Sequence, residues 1–155
     1  MSRRSLGVTA AGIFLAVSLI VSLALAQAGD TLPPEPGDAT AELLANKAVE
    51  FAKLNGGTSP AEATVVLTNR NAASDLFSPG SVAGSDEEVY VVEMTGKFIG
   101  EMAKLPDGAE TPTGEALWFG LDPLTGEVTD WGISVSPVDL ARLGEVSTLD
   151  LTKEA

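Results

Sequence analysis

The chain has 155 residues, enough for one buried core but not two. It carries 22 acidic against 9 basic residues, a formal charge of −13, and such a surface repels nucleic acid and anionic lipid headgroups. It contains neither Cys nor His, which excludes disulfides, Ser-His-Asp and Cys-His triads, thiol redox motifs and zinc sites built on those residues.

The first stretch stands apart from the core. Ser2-Arg3-Arg4 supplies a positive start, and Leu6 to Ala26 then runs 21 residues without a charge. Small residues follow at Ala24-Leu25-Ala26 and Ala26-Gln27-Ala28, both acceptable to a signal peptidase. Residues 1–28 therefore read as a signal peptide or, if uncleaved, as a membrane anchor, because about 20 apolar residues can span a bilayer. Gly7, Thr9, Gly12, Ser18 and Ser22 dilute the run and favour cleavage. Ser2-Arg3-Arg4-Ser5-Leu6 is also similar to the front of a twin-arginine export signal, although Gly7 stands where such signals often carry Lys. Both routes place the remainder outside the cytoplasm, as a secreted protein or on the outer face of the membrane. Without residues 1–28 the balance becomes 7 basic against 22 acidic, or −15. Acids spread along a chain ordinarily just solvate it; the sharper alternative is a basic partner or divalent cations.

Residues 29–37 (Gly-Asp-Thr-Leu-Pro-Pro-Glu-Pro-Gly) form a Pro-rich linker. One domain is expected over residues 38–146. Its helix starts at Asp38 or Thr40 as cap, with Ala41, Leu44, Ala48, Phe51 and Leu54 as an apolar stripe, and ends at Asn55-Gly56-Gly57. Ala63 to Thr68 reads as a strand, and Asn69 to Phe77 as a short helical turn that tucks Leu76 and Phe77 inward.

In the next strand, from Glu88, Tyr90, Val92, Met94 and Phe98 share one face, the better candidate for contact with the helix. Val89, Val91, Glu93, Thr95 and Lys97 share the other, and Gly96 marks a bulge. A long turn-rich connection, Leu105 to Glu115, leads to Ala116–Leu121, where Leu117, Phe119 and Leu121 alternate with Trp118 and Gly120. Asp122-Pro123-Leu124-Thr125-Gly126 makes a tight hairpin, with Gly126 supplying positive φ. The following strand aligns Thr129, Trp131, Ile133 and Val135, so the two tryptophans need not share a face. Ser136-Pro137 permits a short helix through Val138, Leu140 and Leu143, and residues 147–155 read as a flexible tail. The expected fold is α+β, one N-terminal helix packed on an antiparallel sheet of about four strands.

Little chemistry is signposted. No phosphate-cradling Gly-rich loop and no dinucleotide fingerprint appears. A carboxylate pair such as Glu93 with Glu101, or a Ser-Lys dyad, survives on residue types alone, but neither has a flanking motif. Asp86-Glu87-Glu88 lacks the ligand spacing of a Ca²⁺ loop and is read as gatekeeping charge before an apolar strand. No catalytic, cofactor-binding or metal-binding residue is assigned, and no cofactor is expected. Residues offered for partner binding are Trp118, because aromatic residues dominate binding hot spots, and Pro106, Asp107 and Pro112 in the long loop.

Three segments together carry a family likeness: the Ala41–Leu54 helix, Val89-Tyr90-Val91-Val92-Glu93-Met94-Thr95-Gly96, and Leu121-Asp122-Pro123-Leu124-Thr125-Gly126-Glu127-Val128. They resemble the PepSY-type secreted domain, with its helix, its valine-tyrosine-x-valine strand ending in a glycine turn, and its Asp-x-x-Thr-Gly-Glu-Val hairpin. The likeness covers residues 41–135 at most, and the loop from Lys104 to Glu115 departs from it. It implies a cystatin-like helix-on-sheet fold and a non-catalytic exported module that binds or inhibits an extracytoplasmic protein such as a peptidase; the acidic charge separately argues for no nucleic acid as partner. Contact with the membrane would run only through residues 6–26, if that segment is uncleaved. The alternatives are a membrane-anchored structural or accessory envelope protein and, after it, a carboxylate-based hydrolase.

Overall fold

The computed structural model describes residues 36–56, 59–78, 80 and 85–153. The signal-peptide or anchor reading of residues 1–28, and nearly all of the linker, lie outside the described residues. Among the described residues no helix is long and apolar enough to cross a membrane.

The architecture is α+β: helix α1 (Asp38–Leu54), strand β1 (Glu62–Asn69), helix α2 (Arg70–Phe77), then β2 (Glu88–Ile99), β3 (Thr113–Leu121), β4 (Val128–Ser134), a 3-10 turn (Leu140–Arg142) and β5 (Val146–Asp150). The strands form one antiparallel sheet in the order β4-β3-β2-β1-β5. The sheet therefore has five strands rather than about four. The additional one comes from the segment expected as a flexible tail: Val146–Asp150 pairs with β1 from Glu62↔Asp150 to Val66↔Val146, and Leu149 and Leu151 are buried. The physical reason is tertiary. Two leucines in a polar stretch make a weak strand signal alone, but the free edge of β1 supplies hydrogen bonds and the core supplies a place for both side chains.

α1 covers one face of the sheet. Leu44, Ala45, Ala48, Val49, Phe51 and Ala52 are its buried positions, and they meet Val65, Val92, Met94, Phe98, Leu117, Phe119 and Leu121. Phe51 stacks on Phe119 with ring centroids 5.1 Å apart and meets the edge of Trp131 at 6.4 Å. Two details of the helix differ from expectation. Its N-cap is Gly37, whose carbonyl accepts the N–H groups of Thr40 and Ala41, while Asp38 sits in the first turn where the helix dipole favours an acid. Leu54 is 44% exposed, because stepping about 100° per residue carries it to the far side of the helix and brings Asn55 inward instead. Asn55 is fully buried; its side-chain Nδ2 donates to the Phe51 carbonyl, and its backbone carbonyl accepts from the Ile99 N–H, tying the helix end to β2.

The opposite face carries a second, smaller core of Val66, Ala73, Val89, Val91 and Leu140, with Leu76, Phe77 and Leu143 against it. α2 starts at Asn69, whose side chain accepts the N–H of Ala72, and it lies over this face. The chain leaving β4 also crosses this face before it reaches β5, and Leu140 anchors the crossing. Burial on both faces explains the near-continuous apolar run of β2, in which positions 89 and 91–94 are all buried.

The β3–β4 turn is built locally. Asp122 Oδ1 accepts the N–H groups of Leu124 and Thr125 at 2.7 and 3.1 Å, and Gly126, at φ +70°, donates back to the Asp122 carbonyl. The pairing slips by one residue between Gly120 and Leu121, so Thr129 becomes the extra residue of a bulge. This slip undoes the expected alignment of Thr129 with Trp131 and sends Thr129 to the α2 side, beside Gly120. A second slip, between Thr95 and Phe98 of β2, contains Gly96 as expected.

Candidate functional site

A hollow lies on the α2 face, between that helix and the β3–β4 ladder. It encloses about 670 Å³, within the ordinary range for ligand clefts. Ala73, Val89, Val91 and Gly120 form its apolar base, Phe77 and Trp118 one wall, and Arg70, Glu87, Thr129 and Asp130 its polar rim. A smaller hollow of about 190 Å³ shares Arg70, Glu87 and Thr129 and runs on to the hairpin turn at Asp122–Leu124.

The aromatic wall is closely packed. Trp118 projects from β3, and the Phe77 ring stacks on its indole with centroids 4.0 Å apart and planes 19° from parallel. On the neighbouring strand stands Gly132, the register partner of Trp118; a Cβ there would come within 3.0 Å of three indole atoms. A side chain at position 132 would press on the indole, so glycine lets the ring pack close to β4 while Phe77 stacks against it.

Arg70 opens α2 and donates from Nη2 to Asp130 Oδ2 at 2.9 Å, bridging the helix to β4 across the rim. Both side chains are well exposed, so the pair contributes at most about 1 kcal/mol to stability. The Arg70 backbone N–H is bonded to the Glu87 carbonyl. Thr129 Oγ1 is buried with no partner among the described residues, and it sits where a Cβ on Gly120 would come within 2.9 Å of it. A buried hydroxyl left in that condition costs about 1–3 kcal/mol.

Glu93 is the buried acid of the same face, 6% exposed. Both carboxylate oxygens accept the Val138 N–H, at 3.2 and 3.0 Å, fastening the β4-to-β5 crossing to the middle of the sheet. Burial pushes its pKa above the ordinary 4.5, and the Val138 bond offsets this in part. Glu101 does not join it: its carboxylate lies beside Gly56, at the C-terminal end of α1 on the other side of the sheet. Among the described residues no three acidic side chains gather in a way that could hold a metal ion.

The four residues offered for partner binding do not form one site. Trp118 is half-buried in the cleft wall. Pro106, Asp107 and Pro112 are exposed in the β2–β3 connection and line none of the cleft. That connection is closed at its neck by the Gly100 N–H donating to the Pro112 carbonyl at 2.8 Å, and within it Ala109 donates to Pro106. Sequence reasoning placed Phe77 inward but missed Arg70, Thr129 and Asp130 as a group. Arg70 and Asp130 are 60 positions apart, and no spacing rule connects them.

No protein-family model matches the chain, and no curated protein or solved structure is significantly similar to it. The likeness to PepSY-type domains accordingly rests on the sequence motifs.

Proposed function

We propose that the chain is an exported, non-catalytic binding module whose α2–β4 cleft receives part of an extracytoplasmic protein. A peptidase is the partner class that the PepSY-like motifs imply, and the module would restrain it by occupying its surface. The observation that carries this reading is the preformed aromatic wall: the Trp118 indole is already packed against Phe77 and close to Gly132, which lowers the ordering cost when a partner arrives. A packed aromatic beside a polar rim is the composition that concentrates binding energy in protein interfaces.

The test is cross-linking and recovery of C-terminally tagged full-length protein from its own cell envelope and medium, with Trp118→Ala in parallel and circular dichroism as a check on folding. One protein recovered with the wild type and lost with the folded variant is the expected result. Equal recovery with both proteins counts against the cleft, and no recovered protein with either counts against a protein partner.

A further inference from the structure

We infer that the partner docks as an added strand on the outer edge of β4, and that the docking segment is extended and basic, with apolar residues at alternate positions. This rests on the binding-module reading and specifies how the cleft is used.

β4 is one of the two edges of the sheet, and among the described residues nothing pairs with its outer side. Sheet edges are ordinarily defended by shortness, lysine, proline or an inward-pointing charge. β5, at the other edge, has five residues. β4 has seven, with neither Lys nor Pro; its bulge at Thr129 lies at the hairpin end and leaves Asp130–Ser134 in regular register, and its single charge, Asp130, is turned onto Arg70. The strand is followed, at a bend, by Val135, an apolar residue 83% exposed. The cleft lies directly along this strand, since Thr129 and Asp130 belong to both. An open edge beside a groove roofed by a helix is the arrangement in which main-chain hydrogen bonds give affinity and alternate side chains are read by the groove.

Charge selects the occupant. Glu87 and Asp130 on the rim outnumber Arg70, and the whole chain stands at −13. A second copy of this chain would bring a like charge to the edge, whereas a basic segment is drawn to it. Within the segment, residues pointing to the cleft side lie next to Asp130 and the Trp118 side of the cleft, where the stem of a Lys or Arg can lie on apolar surface while its head reaches the carboxylate.

The experiment uses isotope-labelled full-length protein in detergent with three probes: a short peptide alternating Lys and Val, its Glu counterpart, and the Lys peptide with a central proline. The expected result is slowed hydrogen exchange for β4 amides with the Lys peptide and none gained in β5. Affinity should fall about tenfold for the Glu peptide and for Asp130→Lys protein, and the proline version should give no protection. Shifts confined to cleft residues, with β4 amides unprotected, overturn strand addition while leaving the binding module standing. Failure of all three peptides overturns the inference, and partner recovery with the Trp118→Ala comparison judges the broader reading separately. Concentration-dependent protection of β4 without peptide assigns the edge to a second copy and overturns the basic partner.

Discussion

Truncating Phe51 tests the main core directly. The side chain is 7% exposed and touches two aromatic partners, Phe119 at 5.1 Å and Trp131 at 6.4 Å between centroids. A buried aromatic removes about 150–250 Å² from water, which at roughly 25 cal/mol per Å² is several kcal/mol for the whole side chain. Alanine retains a small part of that. Each ring pair adds about 0.5–1.5 kcal/mol, and the void left behind is only partly closed by relaxation of Phe119 and Leu44. Phe51→Ala should therefore lower stability by about 3–5 kcal/mol. Phe51→Leu keeps most of the apolar volume and loses the ring geometry, so it should cost less than half as much. Urea melts followed by circular dichroism measure both, provided the slope against denaturant stays that of the wild type. A loss below about 1 kcal/mol for Phe51→Ala at unchanged slope would show that α1 does not pack on β3 and β4 as described.

Three further outcomes follow from named contacts. Glu93 has a pKa raised by burial, so the folded chain holds that proton more tightly than the unfolded chain; ionisation subtracts stability above the folded pKa, and the deficit disappears as pH falls through it towards 4.5. Glu93→Gln keeps an acceptor for the Val138 N–H and should melt higher than wild type at neutral pH, with the gap narrowing on acidification; a lower melt at neutral pH would mean the charge itself is required. Asp122 is the reverse case, its pKa held below the ordinary 3.8 by the N–H groups of Leu124 and Thr125. Its contribution is present above 3.8 and lost as pH falls through the lower folded value. Asp122→Ala should reduce the urea midpoint at neutral pH, the difference shrinking in strong acid; a difference that ignores pH would point to a cause other than the turn bonds. Leu151, fully buried just beyond β5 with its N–H on the Ala61 carbonyl, should cost about 2–5 kcal/mol as Leu151→Ala. A wild-type melt for that variant would restore the frayed-tail reading of the C-terminus.

Acidity and the absence of Cys and His shape how such a domain is held together. With no disulfide to constrain the unfolded chain, stability comes from packing on both faces of one sheet. The larger core lies under α1. The smaller one is completed by α2 and by the crossing that Leu140 and the Glu93–Val138 bonds attach to the sheet. The cleft is the part of the α2 face that these elements do not fill, with Trp118 and Phe77 on its boundary.

Several features were legible in the chain because their causes are local. Alternation in Glu88–Phe98 distinguished the α1 face from the α2 face, since successive strand residues must point to opposite sides. The Asp122–Gly126 turn is encoded by a side-chain acceptor two and three residues before its donors and by a glycine at positive φ. The α1 periodicity and the inward turn of Phe77 belong to the same class. The tertiary structure alone decided the rest. β5 exists because β1 offers an edge and the core has room for Leu149 and Leu151, neither of which its own short polar sequence announces. The bulge that carries Thr129 to the α2 side depends on the register of β3 against β4. The cleft unites Arg70 with Asp130 and Phe77 with Trp118 across long separations in sequence, because a sheet edge and a helix laid over it bring together residues that no local periodicity links.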